Sequence, residues 1–302
     1  MSEAVKIWCR NCQSKYDVSD LPAYSEISCP ECGTLLRIPE KFGRYLLERP
    51  CGKGGMSTIY RALDPVLARR VAVKVRTRSV EDPELDGVYL NVAQTFSEVN
   101  HPVLVKIYDF GQVDDREFLV MPYLDGGDLE YHLRNGSLPD HRTLINYMHD
   151  VAAGLSFLYT TYNLVHHDVK PANIVIDTGS GSVKLVDYDL ADVRIIGDMH
   201  PCRRSWGSPC YLAPERILYG GEDLRGDIYS LGITIYELLT GENPFGNRGD
   251  MQAMLDRRQE PFVPLCEKNP AVDENISRMV DRMLAYDPEM RPKYPEIIRV
   301  LK

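Results

Sequence analysis

The sequence lacks a long apolar run and an excess of positive charge, and each absence argues against a class of protein. Lys and Arg number 35 against 44 Asp and Glu, so the formal net charge is -9 and nonspecific binding to nucleic acid or an anionic membrane is not expected. The best apolar stretch, residues 231–239, contains Thr234 and Glu237 and is far shorter than the roughly 18 residues that cross a bilayer. Residues 1–6 have neither the basic start nor the apolar stretch of a signal peptide. We therefore expect a cytoplasmic protein with no membrane and no nucleic-acid partner.

The composition is that of a folded protein. Hydrophobic residues make up 44% of the chain and charged residues 26%, a balance that excludes collagen-like, low-complexity and wholly disordered chains. A length of 302 residues suggests one large domain, or a small domain joined to a larger one.

Four of the eight cysteines form two close pairs near the start of the chain. Two residues separate Cys9 from Cys12 and Cys29 from Cys32, and sixteen residues lie between the pairs. Each pair lets two thiolates reach one tetrahedral ion, so the spacing predicts a four-cysteine zinc ribbon over residues 1–40. Four free thiols or two disulfides are the alternative. Because four cysteines close the coordination, the zinc would be structural and would supply folding free energy to a segment too short for a core of its own.

The charge of this segment bears on its partner. Residues 1–40 contain four basic and six acidic side chains, which makes a poor clamp for nucleic acid. We expect the ribbon to dock a protein or to pack against the next domain, residues 41–302.

From residue 42 the apolar pattern first predicts strands and then helices. Alternating apolar and β-branched residues predict strands at 43–48, 58–62, 71–75, 103–110 and 117–121. Apolar residues at three- and four-residue steps predict helices at 143–162, 227–240 and 276–285. Strands that precede helices indicate an α+β, two-lobed arrangement.

A glycine-rich turn between the first two predicted strands favours phosphate binding. Gly52, Gly54 and Gly55 allow a hairpin backbone to lie close over phosphates with its N–H groups facing the anion. Lys74 follows about twenty residues later in an apolar strand, from which it can reach phosphate oxygens. An ordinary turn and a solvent-facing lysine are the alternative.

The segment 165–173 gathers polar side chains between apolar stretches, which is typical of a functional loop. Asp168, Lys170 and Asn173 place a carboxylate, a cation and a carboxamide within six residues, and Asp187 follows at the end of a further predicted strand. Two carboxylates and an amide are oxygen ligands of the kind that Mg²⁺ prefers. The segment therefore predicts a site for a magnesium nucleotide.

Together these motifs resemble those of one family. Residues 41–302 resemble the eukaryotic-like Ser/Thr protein kinases of bacteria, whose motifs occur here in the same order. The matching elements are Gly52-x-Gly54-Gly55, Lys74, His166-His167-Asp168, Asp187-Tyr188-Asp189, Ala213-Pro214-Glu215, Asp227 and Arg291. The resemblance implies a bilobal protein-kinase fold, with a β-rich N-lobe over about 41–124 and a helical C-lobe over about 125–302.

The resemblance also implies roles in the transfer of the γ-phosphoryl group of ATP to a protein hydroxyl. Asp168 would orient the substrate hydroxyl or accept its proton, and Lys170 would lie near the γ-phosphate, as in the Ser/Thr branch. Asn173 and Asp187 would hold Mg²⁺ or Mn²⁺, and Lys74 would contact the α- and β-phosphates.

Further matches concern the nucleotide and the supports of the site. Met121 is similar to the gatekeeper, and adenine would bond the Pro122 carbonyl and the Leu124 N–H. Ser57 replaces the third glycine of the phosphate loop and adds a hydroxyl near the phosphates. The structural matches are Glu215 with Arg291, the family's ion pair, and Asp227, which braces the catalytic-loop backbone.

One departure from the pattern concerns Lys74. Val92 falls where the family has the glutamate that pairs with this lysine, and neither Glu84 nor Glu98 is well placed on the helix to replace it. Asp189, which replaces a glycine, is an alternative partner for Lys74 or an extra metal ligand.

A second departure concerns regulation. His167 stands where the family often has the arginine that holds a phosphorylated activation loop, and a histidine is only partly charged at neutral pH. Ser205 is the best single phosphorylation site in the loop, and control by loop phosphorylation is not expected. Two interpretations follow, an active Ser/Thr kinase and a pseudokinase that binds nucleotide or acts as a scaffold. A nucleic-acid adaptor is disfavoured by the charge.

Overall fold

The structure is a computed structural model that describes residues 5–54, 57–76, 93–189, 191–193, 208–246 and 250–302. These residues form two compact units. The first lies within Met1–Glu98 and Lys106–Tyr123, and the second within Val99–Val105 and Leu124–Lys302. Gly55, Val92, Glu84 and Ser205 lie outside the described residues, so the predictions made for them stay predictions.

The first unit begins with two small hairpins that carry the cysteine pairs. Strands β1 (Lys6–Trp8) and β2 (Lys15–Asp17) form one hairpin, and β3 (Glu26–Ser28) and β4 (Leu35–Arg37) form the other. Cys9, Cys29 and Leu36 are buried between them. This arrangement agrees with the predicted four-cysteine ribbon.

A six-stranded antiparallel sheet follows the ribbon in the first unit. Its strands are β5 (Glu40–Phe42), β6 (Tyr45–Lys53), β7 (Ser57–Asp64), β8 (Arg69–Arg76), β9 (Asp109–Val113) and β10 (Arg116–Pro122), in the spatial order β5-β6-β7-β8-β10-β9. Phe42, Leu47, Val73 and Val120 are fully buried on one side of it. Because successive side chains point to opposite faces of a strand, the alternating pattern identified most of these strands correctly.

The ribbon contacts this sheet through aromatic and charged side chains. Tyr24 donates its hydroxyl to Glu40 Oε2 at 2.7 Å, and its ring stacks on Tyr60 of β7 with 6.5 Å between the centroids. Arg10 Nη2 lies 3.0 Å from Glu48 Oε1 of β6. The expectation that the ribbon packs on the next domain therefore agrees with these contacts.

The strand predicted over residues 103–110 is wrong over residues 103–108, because the sheet strand begins only at Asp109. Val103, Leu104 and Val105 belong to the second unit, where each is about 96% buried. Their backbone bonds go to Leu185, whose N–H donates to the Val103 carbonyl at 2.7 Å and whose carbonyl accepts from Val105 N–H at 3.0 Å. These residues are apolar because they are buried and not because they belong to a strand of the sheet, and in the sequence such an apolar run resembles a strand.

The second unit is mainly helical. Its helices are α1 (Leu129–Arg134), α2 (His141–Tyr162), α3 (Pro214–Tyr219), α4 (Leu224–Thr240), α5 (Met251–Gln259), α6 (Leu265–Lys268), α7 (Glu274–Met283) and α8 (Tyr294–Leu301). Asp140 and Asp223 cap the long helices α2 and α4 by accepting backbone N–H bonds from Thr143 and Arg225. The three helices predicted from periodicity are confirmed as α2, α4 and α7. Within the described helices, none combines the length and the apolar character that a membrane span requires.

Short strands and turns place the loops between these helices. Strand β11 (Leu164–Val165) pairs with β14 (Asp192–Val193), and β12 (Ile174–Asp177) pairs with β13 (Ser182–Leu185). The loop 166–173 joins β11 to β12 and ends in a 3-10 turn, Pro171–Asn173. It is held at both ends by paired backbone.

Candidate active site

A buried carboxylate, that of Asp227, fixes the start of the loop 166–173. The two oxygens of Asp227, on the first turn of α4, accept the backbone N–H groups of His166 at 2.7 Å and His167 at 2.8 Å. Burial raises the pKa of Asp227 above its ordinary value, against the opposing effect of the two histidines. The predicted bracing of this loop by Asp227 is confirmed.

The side chain of His167 turns into the protein interior. Its backbone has a φ of 67°, and its Nδ1 lies 2.8 Å from Glu222 Oε1. Arg216 donates Nη1 to the same Glu222 oxygen at 2.6 Å and to the His167 carbonyl at 2.8 Å. The side chains of His167, Glu222 and Arg216 are each at least 98% buried.

The pKa of Glu222 reflects this environment. Burial acts to raise it, but the Arg216 guanidinium and the His167 hydrogen bond outweigh burial and hold the pKa below its ordinary value. Glu222 is therefore a buried carboxylate that is charged at neutral pH and shared by two partners.

The Asp168 carboxylate is the centre of the polar loop. Its Oδ2 accepts from Lys170 Nζ at 2.6 Å and from Asn173 Nδ2 at 2.9 Å, and its Oδ1 accepts from the backbone N–H of Ser208 at 3.2 Å. Lys170 Nζ also donates to Ser208 Oγ at 2.7 Å. The structure thus brings together Asp168, Lys170 and Asn173, three predicted site residues, and adds Ser208 to them.

Asn173 connects this group to the segment that carries Asp187. Its Nδ2 is used by Asp168, so its Oδ1 is the acceptor that is left for a metal ion. Its carbonyl accepts the Val186 N–H at 2.9 Å, which fixes the chain immediately before Asp187. Asp187 has a φ of 71°, a strained value for a residue with a side chain. Asn173 and Asp187 carry side-chain oxygens of the kind that Mg²⁺ prefers, so these residue types fit that ion.

Tyr188 anchors this segment in the core. Its ring is 2% exposed, and its hydroxyl donates to the carbonyls of Leu185 at 3.1 Å and Val105 at 3.2 Å. The His166 ring meets the Tyr188 ring edge to face, with 5.6 Å between the centroids. Burial lowers the pKa of His166, so its imidazole is neutral and packs as an aromatic ring.

The predicted phosphate loop and its lysine lie in the sheet of the first unit. Gly52 and Gly54 are at the turn between β6 and β7, where the Gly54 N–H donates to the Ser57 carbonyl at 2.8 Å. Lys74 is on β8, opposite Ile59 of β7 and Leu119 of β10, and is 4% exposed. The hairpin and the apolar strand on which these residues were predicted are confirmed.

The predicted adenine contacts fall at the end of the sheet. Met121 and Pro122 are the last residues of β10, opposite Ala72 and Val71 of β8. Leu124 belongs to the second unit.

The four ribbon cysteines form one cluster. The Sγ atoms of Cys9 and Cys32 are 3.5 Å apart, those of Cys12 and Cys29 are 3.6 Å apart, and all four lie within 4.8 Å of one another. A disulfide requires about 2.05 Å. Four sulfurs about 2.3 Å from one tetrahedral ion would lie about 3.8 Å apart. The cluster therefore fits a four-coordinate zinc ion.

The backbone of the two knuckles explains how the cysteines converge. In each knuckle the backbone carbonyl of the first cysteine accepts a hydrogen bond from the N–H of the residue four positions later. The Gln13 N–H donates to Cys9 at 2.9 Å, and the Gly33 N–H donates to Cys29 at 2.8 Å. Gln13 and Gly33 both have positive φ, which produces the tight turn. The Thr34 hydroxyl, 3.2 Å from the sulfur, lowers the pKa of Cys32 to about 5, which favours the thiolate form at neutral pH.

The predicted supporting ion pair is also present. Arg291 donates Nη1 and Nη2 to the two oxygens of Glu215 at 2.6 and 2.8 Å, and both side chains are at least 95% buried. This bidentate pair joins α3 to the segment before α8.

Sequence reasoning missed two residues of the site, Arg216 and Glu222. Neither matches a motif, and Glu222 lies 55 residues from His167, so local spacing could not connect them. The one available signal was that His167 departs from the family pattern.

Comparisons with known proteins agree with this geometry. Residues 45–300 match the protein kinase domain family, which covers most of the chain. The chain belongs to the protein kinase family. Its curated relatives include the serine/threonine-protein kinases PrkC of Bacillus subtilis, 34% identical over 248 residues, and PknL of Mycobacterium tuberculosis, 37% identical over 245 residues. PknB of Mycobacterium leprae is 33% identical over 262 residues.

The chain aligns with these relatives over only part of their length. The aligned region is 82%, 80% and 84% of this chain in these three comparisons, but 38%, 59% and 41% of PrkC, PknL and PknB. The predicted family and the α+β fold class are therefore confirmed for the domain that the comparisons cover.

Proposed function

We propose that this chain is an ATP-dependent Ser/Thr protein kinase that transfers the γ-phosphoryl group to protein hydroxyls. The observation that carries the proposal is the Asp168 carboxylate, held by Lys170, Asn173 and the Ser208 backbone in the second unit. Phosphoryl transfer depends mainly on positioning and electrostatic stabilisation, so a carboxylate and an ammonium fixed side by side are the groups it needs.

Each group of this cluster has a distinct task. Asp168 orients the substrate hydroxyl and accepts its proton as the bond to phosphorus forms. Lys170 contributes positive charge where the γ-phosphoryl group gains negative charge. Ser208 holds Lys170 in place through its hydroxyl and Asp168 through its N–H.

The nucleotide contacts are proposed residue by residue from the resemblance to the family. Lys74 contacts the α- and β-phosphates, and backbone N–H groups near Gly52, Gly54, Gly55 and Ser57 face the phosphate oxygens. Met121 borders the adenine, which bonds the Pro122 carbonyl and the Leu124 N–H. Asn173 and Asp187 would hold Mg²⁺ or Mn²⁺, which neutralises phosphate charge.

The ribbon is proposed to hold a structural zinc ion through Cys9, Cys12, Cys29 and Cys32. The distances between the four sulfurs support this, and closed coordination leaves no position for a substrate. A docking or regulatory role for the ribbon completes the proposal.

A pseudokinase is the second candidate. His167 is committed to Glu222 inside the protein, and Val92 and Asp189 depart from the family at the partner of Lys74 and at the metal site. A chain with these departures could bind nucleotide and signal without transferring phosphate.

One experiment separates the two candidates. Labelled γ-phosphate transfer to the chain and to a basic protein substrate is measured with Mg²⁺ and with Mn²⁺, beside Asp168→Asn, and ATP-induced thermal shifts are recorded in the same buffers. Transfer by the native chain that is lost in Asp168→Asn, with the thermal shift retained, supports the kinase. A thermal shift without transfer supports the pseudokinase. The absence of both the thermal shift and the transfer would contradict both candidates.

A further inference from the structure

A groove lies where the ribbon meets the six-stranded sheet. Its volume is about 680 Å³, and it is bordered on the ribbon side by β1 and β4 and on the sheet side by β6, β7 and β8. Both sides belong to the first unit. A volume of this size is within the range of ligand sites, roughly 300–1,000 Å³.

The groove is strongly basic although the chain is acidic. Its lining contains a single carboxylate, Glu48, and six cationic side chains, namely Lys6, Arg10, Arg37, Arg49, Arg61 and Arg70. The chain as a whole carries a formal net charge of -9. The positive potential is therefore local, and it favours an anionic ligand at this place.

Glu48 organises part of this basic lining. Its Oε1 lies 3.0 Å from Arg10 Nη2, and its Oε2 lies 2.6 Å from Arg61 Nε and 3.9 Å from Arg70 Nε. One carboxylate shared by three guanidinium groups leaves the cluster with excess positive charge. It also fixes one arginine of the ribbon against two of the sheet.

The groove also offers apolar surface. Leu36 and Leu46 are buried at its base, and at its ribbon side Trp8 is 47% exposed and Leu35 62% exposed. Large side chains with this much exposed area, next to a basic rim, suit a ligand that carries both carboxylates and apolar groups.

The ribbon presents open strand edges to the groove. Three consecutive residues of β1 (Lys6–Trp8) and three of β4 (Leu35–Arg37) line it. Since alternate side chains of a strand point to opposite faces, a strand that lines a groove with consecutive residues does so with its edge. Among the described strands, β1 pairs only with β2 and β4 only with β3, so each has an edge open for backbone hydrogen bonds.

We propose that this groove binds an extended acidic segment of a partner protein. The segment pairs its backbone with an open ribbon edge, places its carboxylates on the arginines and sets its apolar side chains against Trp8 and Leu35. A nucleic acid has no backbone groups that continue a strand, and the net negative charge outside the groove repels a long polyanion. Protein docking is thus the function that the ribbon adds, and it does not depend on phosphotransfer.

The test measures binding to the full zinc-loaded chain. The probe is a fluorescein-labelled peptide in which Glu and Val alternate over about eight residues, a length within the usual range of β-strands. Controls are the same peptide with Lys in place of Glu and a single-stranded DNA of equal charge. We expect the acidic peptide to bind, the basic peptide not to bind and the DNA to bind at least tenfold more weakly.

Charge-reversed variants locate the peptide-binding site on the chain. Arg49→Glu with Arg70→Glu changes two exposed side chains of the sheet wall and should weaken peptide binding by about tenfold or more. Arg142→Glu with Lys293→Glu makes the same charge change on exposed residues of the second unit and should leave affinity unchanged. Asp168→Asn should also bind normally, which separates this site from the proposed phosphotransfer.

A second readout comes from the ribbon itself. Trp8 and Trp206 are the two tryptophans of the chain, so Trp206→Phe leaves Trp8 as the single fluorophore. Its emission should change when the acidic peptide is added. Equal losses of affinity in the two charge-reversed chains, binding of the basic peptide, tighter binding of DNA, or unaltered Trp8 emission at saturating peptide would each overturn the proposal.

Discussion

Glu222 holds His167 and Arg216 through a single oxygen, with His167 Nδ1 at 2.8 Å and Arg216 Nη1 at 2.6 Å. The buried Glu222 carboxylate therefore anchors the residue that precedes Asp168. In the family pattern an arginine at position 167 would instead be available to a phosphate on the activation loop. In this chain His167 is instead bonded to Glu222, an internal carboxylate.

Removing Glu222 should destabilise the second unit strongly. Glu222→Ala leaves the Arg216 guanidinium buried with fewer partners, and breaking a buried pair in this way costs about 3–5 kcal/mol. Glu242→Ala removes a carboxylate that is 66% exposed and pairs with Lys268, so it should cost less than about 1 kcal/mol. Urea unfolding of both variants measures the free energies, and similar losses would contradict the role assigned to Glu222.

The contribution of Glu222 should depend on pH in one direction. Its pKa is lower in the folded chain than its ordinary value of 4.5, so its stabilising effect is complete above that value and is lost as the pH falls through the folded pKa. The difference in unfolding free energy between the native chain and Glu222→Gln should be constant above about pH 6 and shrink at lower pH. Asp227, whose raised pKa acts in the opposite direction, is common to both chains. A difference that grows on acidification would refute this assignment.

Ser208 should act on turnover rather than on substrate binding. Ser208→Ala removes the hydroxyl that accepts from Lys170 but keeps the N–H that bonds Asp168. Loss of a hydrogen bond to a charged group, about 1.5 kcal/mol, predicts a fall in kcat of about tenfold with KM for ATP little changed. Ser208→Thr keeps the hydroxyl and should retain most of the rate. Equal activity of the alanine and threonine variants would argue against this role.

The ribbon should bind about one zinc ion per chain. Cys29→Ser removes a buried ligand and should abolish zinc retention and the ordered environment of Trp8, measured by metal analysis and tryptophan emission. Cys266→Ser changes a cysteine outside the cluster and should retain the metal. Full zinc content in Cys29→Ser would rule out four-cysteine coordination.

The variant Asp189→Asn tests whether the departure from the family pattern at the proposed metal site has a function. If the Asp189 carboxylate serves Lys74 or a metal ion, Asp189→Asn should reduce phosphotransfer by at least about tenfold. Asp256→Asn, an exposed aspartate on α5, is the matched control and should keep full activity. Activity unchanged by Asp189→Asn would count against both roles.

The extent to which sequence predicted this structure depends on the distance between partners. Asp168, Lys170 and Asn173 lie within six residues, so their cluster could be predicted from the loop alone. Glu222 reaches His167 across 55 residues, and no local pattern indicates such a contact.

The same distinction holds for the fold and for the groove. Long periodic helices such as α2 were predicted nearly to their ends. The buried run Val103–Val105 was predicted as a strand because an apolar run indicates burial whether or not the residues pair in a sheet. The basic groove was hidden in an acidic sequence, since Arg10 and Glu48 meet only after folding.

The passage from the ribbon to the sheet has an evolutionary consequence. Ile38 is 1% exposed and Phe42 is fully buried, and β5, which ends at Phe42, is already part of the sheet. A gene fusion that attached this ribbon to another catalytic domain would have to transfer Glu48 and Tyr60 as well, because both contact it. We therefore expect these sheet residues and the four cysteines to be inherited together and lost together.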